Sequence, residues 1–298
     1  MPVIRPVQLV IAGAQKAGTT SLFQHLQQHP EIHAHEQREM CYFVTDEFKR
    51  GYDGVFKKYY GEVDEKGIIL AKHVMIMYSQ EAIDRLYDHN PDAQIVLLLR
   101  NPVRRAYSAY WYARRMGWEK LRQFEDALKA EPGRLREGWL KWSNCAYLYN
   151  GEYHLHVKRI LGRFNKRQLH IYLLEDLKED PQRICLEIFA LFDIDSGFVP
   201  DAGERHNEAT QARSETLARA YAAFLRPNNP VKRAIRALFP YTFLYRVRQN
   251  LKEANKKSFT PPPMNPETKE YLVRYFKSHN DQLGELIGRN VEHWNVPE

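Results

Sequence analysis

Val7-Gln8-Leu9-Val10-Ile11-Ala12-Gly13-Ala14-Gln15-Lys16-Ala17-Gly18-Thr19-Thr20-Ser21-Leu22-Phe23 is the stretch that decides the fold. Val7 to Ala12 reads as a buried strand, and Leu22, Phe23 and Leu26 carry an apolar stripe at helical spacing until Pro30 ends the helix. Strand, glycine loop and helix in this order make a phosphate cradle. The glycines let backbone amides converge on an anion, and the helix N-terminus adds partial positive charge. Gly13 and Gly18 have the separation found in the nucleoside-triphosphate loop G-x-x-x-x-G-K-[ST]. Position 19, however, is Thr where that motif needs Lys, and the available cation is Lys16, inside the loop. A glycine loop after a strand is often only a tight turn; Lys16 and the Thr19, Thr20 and Ser21 hydroxyls favour phosphate binding here.

Working outward, Gln94 to Leu99 reads as a fully buried central strand of a parallel sheet, and it ends in Arg100. A Mg²⁺-dependent phosphoryl-transfer site would want an Asp near such a strand end to hold the metal, whereas Arg binds an anion directly. Asn101-Pro102 then starts a helix whose apolar stripe runs through Val103, Ala106, Tyr107, Tyr110 and Trp111. Both strands should end on one edge of the sheet, which would bring Arg100 at the strand end and Ser108 on the following helix beside the first loop. By itself Arg100 reads equally well as a strand-end ion pair, and Ser108 as a neutral helix residue. Tyr107, Tyr110, Trp111 and Tyr112 could line an acceptor pocket, but aromatics at helical spacing more often pack in the core, and no site role is assigned to them.

The rest of the chain sets bounds. Its 298 residues can bury one α/β core with a central parallel sheet flanked by helices, so a single domain over 1–298 is expected. A net charge of +7 and a pI near 9.1 suit an anionic ligand, but the Lys and Arg residues are dispersed, and no nucleic-acid partner is inferred. Cys41, Cys145 and Cys185 form neither a disulfide framework nor a zinc pattern, and His25 and His29 lack a third ligand, so no metal is expected. Leu9 to Ala14 is too short for a signal-peptide core and no run reaches the length of a membrane span; the expectation is a cytoplasmic protein.

Two strings, Gln15-Lys16-Ala17-Gly18-Thr19-Thr20-Ser21-Leu22 and Arg100-Asn101-Pro102-Val103-Arg104-Arg105-Ala106-Tyr107-Ser108, resemble the sulfotransferase superfamily in its heparan-sulfate-type and related bacterial branch. The likeness extends through Tyr172-Leu173-Leu174-Glu175-Asp176-Leu177 and the segment from Leu283 to Trp294. The resemblance implies a P-loop-like sulfotransferase fold. It also implies 3'-phosphoadenosine 5'-phosphosulfate (PAPS) as donor and adenosine 3',5'-bisphosphate (PAP) as product. The first loop, Gln15 to Ser21, would grip the 5'-phosphosulfate, while Arg100 and Ser108 would grip the 3'-phosphate.

On the acceptor side, Arg38-Glu39-Met40-Cys41-Tyr42-Phe43 resembles the family segment whose Glu is the general base, with Arg38 where the family has Lys. Glu39 is the resulting candidate, with Glu36 as a rival. Lys72 matches a family Lys, and His73, its neighbour, is the alternative base. Adjacent strand residues point to opposite faces, which favours Lys72 in the site. The mechanism implied is direct in-line transfer, with Glu39 taking the proton and Lys16 stabilising the leaving phosphate oxygen. The acceptor class is a small molecule, natural product or saccharide with a hydroxyl or amine. The segment from Arg205 to Arg213 lies where the family closes a loop over the cofactor, so the resemblance implies Arg213 as a further 3'-phosphate contact; the Pro-rich, basic span 227–263 is expected to form an acceptor-side lid or cap. Two other classes fit less well: a kinase-like phosphotransferase, disfavoured by Thr19 and Arg100, and a non-catalytic anion-binding module, which would not need two phosphate motifs.

Overall fold

The computed structural model describes residues 4–63, 65–195, 197–201, 210–212, 256–258 and 260–296. A five-stranded parallel sheet organises them: β1 (Leu9–Gly13), β2 (Ile32–Ala34), β3 (Ile68–Lys72), β4 (Gln94–Leu99) and β5 (Leu169–Leu173), in the order β2-β3-β1-β4-β5. The chain lays down β2 and β3 on one side of β1 and then crosses to the other side for β4 and β5. The switch of direction therefore falls at β1, and in open parallel sheets ligands bind beyond the strand C-termini at such a point. Leu9 pairs with Leu70 on one side and Gln94 on the other.

Alternation along the strands explains why apolar runs were needed. Leu9, Ile11, Leu70, Val96 and Leu98 face α1 (Thr19–Leu26), α8 (Leu174–Glu179) and α9 (Pro181–Ala190), meeting Leu22, Leu26, Ile184 and Phe189. Val10, Ala12, Ile69, Ala71, Ile95, Leu97 and Leu99 face the opposite layer. That layer holds α2 (Asp53–Tyr60), α3 (Gln80–His89), α7 (Tyr153–Leu161) and the C-terminal helix α10 (Pro266–Ile287). With both faces covered, most strand positions are apolar, which erases a period of two from the sequence.

A third core lies outside the sheet, where α4 (Pro102–Met116) packs on α5 (Phe124–Arg136), α10 and the segment around Tyr147, through Ala106, Tyr110, Leu128 and Phe276. Between α5 and α7 sits the short α6 (Trp139–Trp142). Asn101 caps α4 by accepting from the Val103 and Arg104 amides, and Pro102 occupies its first turn. An antiparallel pair, β6 (Thr210–Ala212) with β7 (Lys256–Ser258), completes the described chain. Arg213 and most of the lid span 227–263 lie outside the described residues.

Candidate active site

Beyond Gly13 the chain turns sharply across the top of the sheet. The Ala14 amide donates to the Leu98 carbonyl at 2.8 Å, and the Gln15 amide to the Tyr78 hydroxyl at 3.2 Å. Gln15 Nε2 donates to Asn144 Oδ1 at 3.1 Å, tying the loop to the segment before α7. Gly13 has no room for a side chain, since a Cβ would lie 2.0 Å from Met77 Sδ. Gly18 has a positive φ of 94°, and a Cβ there would lie 2.8 Å from Leu174 Cδ1. Lys16, with φ at 68°, takes the left-handed conformation without being glycine.

α1 starts at Gly18 with no side-chain cap and no acidic residue in its first turn. Among the described residues, the Lys16, Gly18, Thr19 and Thr20 amides have no backbone acceptor. Of these residues Thr19 is buried and the other three half-buried, and amides left open at a helix start are suited to receive an anion.

Arg100 leaves the end of β4 and donates from Nη1 to the Lys16 carbonyl at 3.2 Å; its own carbonyl accepts from Tyr153 Oη at 2.9 Å. The two phosphate motifs are thus in direct contact. Lys16 Nζ lies 4.6 Å from the centroid of the Tyr112 ring, with the Arg115 and Arg38 guanidinium carbons at 5.0 and 5.6 Å from the same ring. Burial, followed by the charges of Arg115, Arg38 and Arg100, pushes the Lys16 pKa down to about 7. Four cations crowded into one corner describe a place built for negative charge. Ser108, half-buried in α4, lies two turns beyond Arg100.

Glu39 and Lys72 meet at the C-terminal end of β3. Lys72 Nζ donates to Glu39 Oε1 at 2.7 Å, and the Val74 amide donates to Oε2 at 3.1 Å. Lys72 is 1% exposed and Glu39 24%, so the ammonium is sealed in while the carboxylate keeps part of its surface open to solvent. Glu36, by contrast, is exposed. His73 is held differently: its Nδ1 accepts from the Met75 amide at 3.2 Å, which leaves the ring proton on Nε2. Burial lowers the His73 pKa, so the ring is neutral with its basic nitrogen already engaged. The rule of opposite faces does not separate Lys72 from His73, because β3 stops at Lys72 and both residues interact with the charge of Glu39.

Three participants escaped the sequence reading. His35 is buried, its pKa pushed down to about 4 by desolvation; Nδ1 bonds the Gln37 carbonyl at 2.6 Å and Nε2 accepts from the Lys72 amide at 3.0 Å. Tyr112 reads as one more aromatic on a helix, yet it faces the cation cluster while Tyr110 is core. Arg115 gave no signal beyond membership in a basic pair. His29 needs no metal: it accepts from the Glu31 amide at 3.1 Å and bonds the Asp195 carbonyl at 2.9 Å. Among the described residues no group of three or more potential ligands could hold a metal.

The Glu-Asp-Leu turn supports the cradle from behind. Asp176 receives both Nη1 and Nη2 of Arg289, at 2.6 and 2.9 Å, and the Leu173 amide at 2.8 Å, while Leu174 packs under Gly18.

Fold and site together define a P-loop-like α/β protein whose loop cation comes from within the loop and whose second strand end presents an arginine. Comparison with known proteins gives the family. The sulfotransferase domain model matches residues 6–216, and the chain belongs to that family. A crystal structure of a sulfotransferase from Alicyclobacillus acidocaldarius superposes with a TM-score of 0.69 at 25% identity, covering 99% of this chain and 100% of that one. The mouse bifunctional heparan sulfate N-deacetylase/N-sulfotransferase 4 is 23% identical over 288 residues, 95% of this chain but 30% of the relative. The mouse heparan sulfate glucosamine 3-O-sulfotransferase 6 is 32% identical over 106 residues, 35% of this chain and 29% of the relative. The chain thus spans about a third of the length of these curated relatives. Among the described residues no helix is long and apolar enough to cross a membrane.

Proposed function

We propose that the chain is a single transferase domain that moves a sulfuryl group from PAPS to a hydroxyl or amine of a small-molecule, natural-product or saccharide acceptor. The observation that carries this reading is the direct contact of Arg100 with the Lys16 carbonyl, one strand away from the Glu39–Lys72 pair. Two phosphate grips and a partly exposed carboxylate share one sheet edge. Family membership over residues 6–216 supports it.

The residues present fit the donor. Glycines at 13 and 18 keep the loop tight against Met77 and Leu174, and four amides with Lys16 supply donors for a phosphosulfate. Gln15 and Ala17 hold the loop's shape, and the Thr19, Thr20 and Ser21 hydroxyls stand at the helix start. Arg100 and Ser108 take the 3'-phosphate. When bound, the donor contributes an activated sulfur whose leaving group is a phosphate oxygen. Glu39 accepts the proton of the incoming nucleophile as the new bond to sulfur forms. Lys72 and the Val74 amide orient that carboxylate. Lys16 and the loop amides hold the charge that builds on the phosphate oxygen as its bond to sulfur opens. His73, with Nδ1 occupied, is the weaker base. A reducing, cytoplasmic setting fits the three cysteines, all free.

Calorimetric titration with PAP, compared with ADP plus Mg²⁺, tests the reading. Metal-independent binding of PAP that Arg100→Ala weakens by roughly thirtyfold or more is expected, in line with removal of a buried phosphate-pairing charge. Preference for ADP with Mg²⁺ would refute it.

A further inference from the structure

The turn after α4 exposes a tryptophan on a firmly hydrogen-bonded backbone. Gly117 ends the helix in the left-handed conformation, and the Trp118 and Glu119 amides both donate to the Ala113 carbonyl, at 3.0 and 3.2 Å. Glu119, fully buried, accepts from Arg134 Nη1 and Nη2 at 2.6 and 2.9 Å, from Tyr147 Oη at 2.9 Å and from the Leu121 amide at 2.9 Å. A buried carboxylate is costly unless its lone pairs are filled, and here four donors fill them. Arg114 adds a bond to the Lys120 carbonyl at 3.1 Å. Beside this anchored residue, Trp118 is 40% exposed. Its ring meets Tyr112 edge-on, with centroids 5.6 Å apart at 72°. Tyr112 is the ring around which Lys16, Arg115 and Arg38 gather. An aromatic path therefore runs from the loop lysine out to solvent, and exposed Arg38, next in sequence to Glu39, stands beside it.

We propose that Trp118 and Tyr112 form the platform on which the acceptor lies, and that the acceptor they fit carries a negative charge on a ring. The inference rests on the sulfuryl-transfer reading and names the substrate class for it. A partly exposed indole on an anchored backbone, meeting Tyr112 edge-on, offers contact area at the entropy cost of only two side-chain torsions, which suits the flat face of an aromatic or sugar ring. The surrounding guanidiniums attract a carboxylate, sulfate or phosphate substituent and repel an ammonium. With Lys16 and Arg100 engaged by the donor, Arg38 remains on the acceptor side, adjacent to Glu39.

The test uses the full chain with saturating PAP and two matched sets of ligands read by tryptophan fluorescence and saturation-transfer NMR. One set is 4-(hydroxymethyl)benzoate, benzyl alcohol and 4-(aminomethyl)benzyl alcohol; the other is glucuronate, methyl glucoside and glucosamine. In at least one set the carboxylate is expected to bind about fivefold tighter than its neutral match, with the ammonium weakest. Trp118→Ala should weaken that carboxylate about tenfold and remove the fluorescence change; Trp118→Phe should restore much of the affinity. Arg38→Gln should reduce the preference for the carboxylate, and Arg38→Gln with Arg115→Gln erase it, while the neutral match is unchanged. Equal binding across both sets, no binding by any member, or wild-type affinity in Trp118→Ala overturns the proposal. Repeating the titrations without PAP reads the platform alone. If PAP itself fails to bind, the donor reading falls, and the platform is still judged on its own data.

Discussion

Raising the pH from 7 to 8.5 should weaken PAP binding about fifteenfold, and Lys16 is the reason. In the free protein this ammonium is pushed down to about 7 by burial and by Arg115, Arg38 and Arg100. An anion on the loop reverses that penalty, so the bound state keeps Lys16 charged and its pKa returns toward the ordinary lysine value. Nucleotide binding is then linked to proton uptake. The sign follows: below pH 7 the lysine is already charged and affinity is flat in this group. Above pH 7 the free protein must first be protonated, and affinity falls up to tenfold per pH unit. Half the lysines are neutral at pH 7 and nearly all at 8.5, which gives the fifteenfold figure on a pKa of about 7. Isothermal titration in two buffers of different ionisation heat measures the uptake directly, about half a proton at pH 7 rising to nearly one at pH 8.5. Lys16→Met should bind more weakly and flatten the profile. A Kd for wild type that is constant or tightens between pH 7 and 8.5, with no buffer dependence, would refute the argument.

Replacing Glu39 with Gln should lower kcat by about 10²- to 10⁴-fold with little change in PAP affinity, because the proposed base bonds Lys72 and the Val74 amide rather than the donor loop; a drop confined to KM would count against its role. Gly18→Ala meets two obstacles, a φ of 94° and a Cβ 2.8 Å from Leu174. It should cost about 1–3 kcal/mol of stability and weaken PAP binding, checked by chemical denaturation and titration; wild-type values for both would contradict the tight-loop account.

How much of this was legible in one dimension depends on whether the chemistry is local. The apolar runs at β1 and β4, Gly13 and Gly18 at fixed separation, and Asn101-Pro102 opening α4 are all local constraints, and each appears in the structure where the pattern predicted it. The Glu39–Lys72 contact joins residues 33 apart and rests on strand adjacency that no spacing encodes; resemblance pointed to both residues, and the parallel sheet brought them to 2.7 Å. Tyr112 was missed because helical periodicity cannot say which neighbour a face will meet. Tyr110 goes to the core and Tyr112, just over half a turn on, to the cation cluster. The Glu119 network was invisible because its partners, Arg134 and Tyr147, come from other segments.

The sequence alone determined that a strand, a tight glycine loop and a helix would make a phosphate cradle with its lysine inside. Backbone conformation and hydrogen bonding over a dozen consecutive residues leave little else for that string to do. Tertiary structure decided which of the four cations gather on one ring, which carboxylate pairs with the buried Lys72 and which histidine nitrogen is already engaged. Those outcomes depend on burial and on distances between segments far apart in the chain, and electrostatic strength in a protein is set by such distances and by the water that packing excludes.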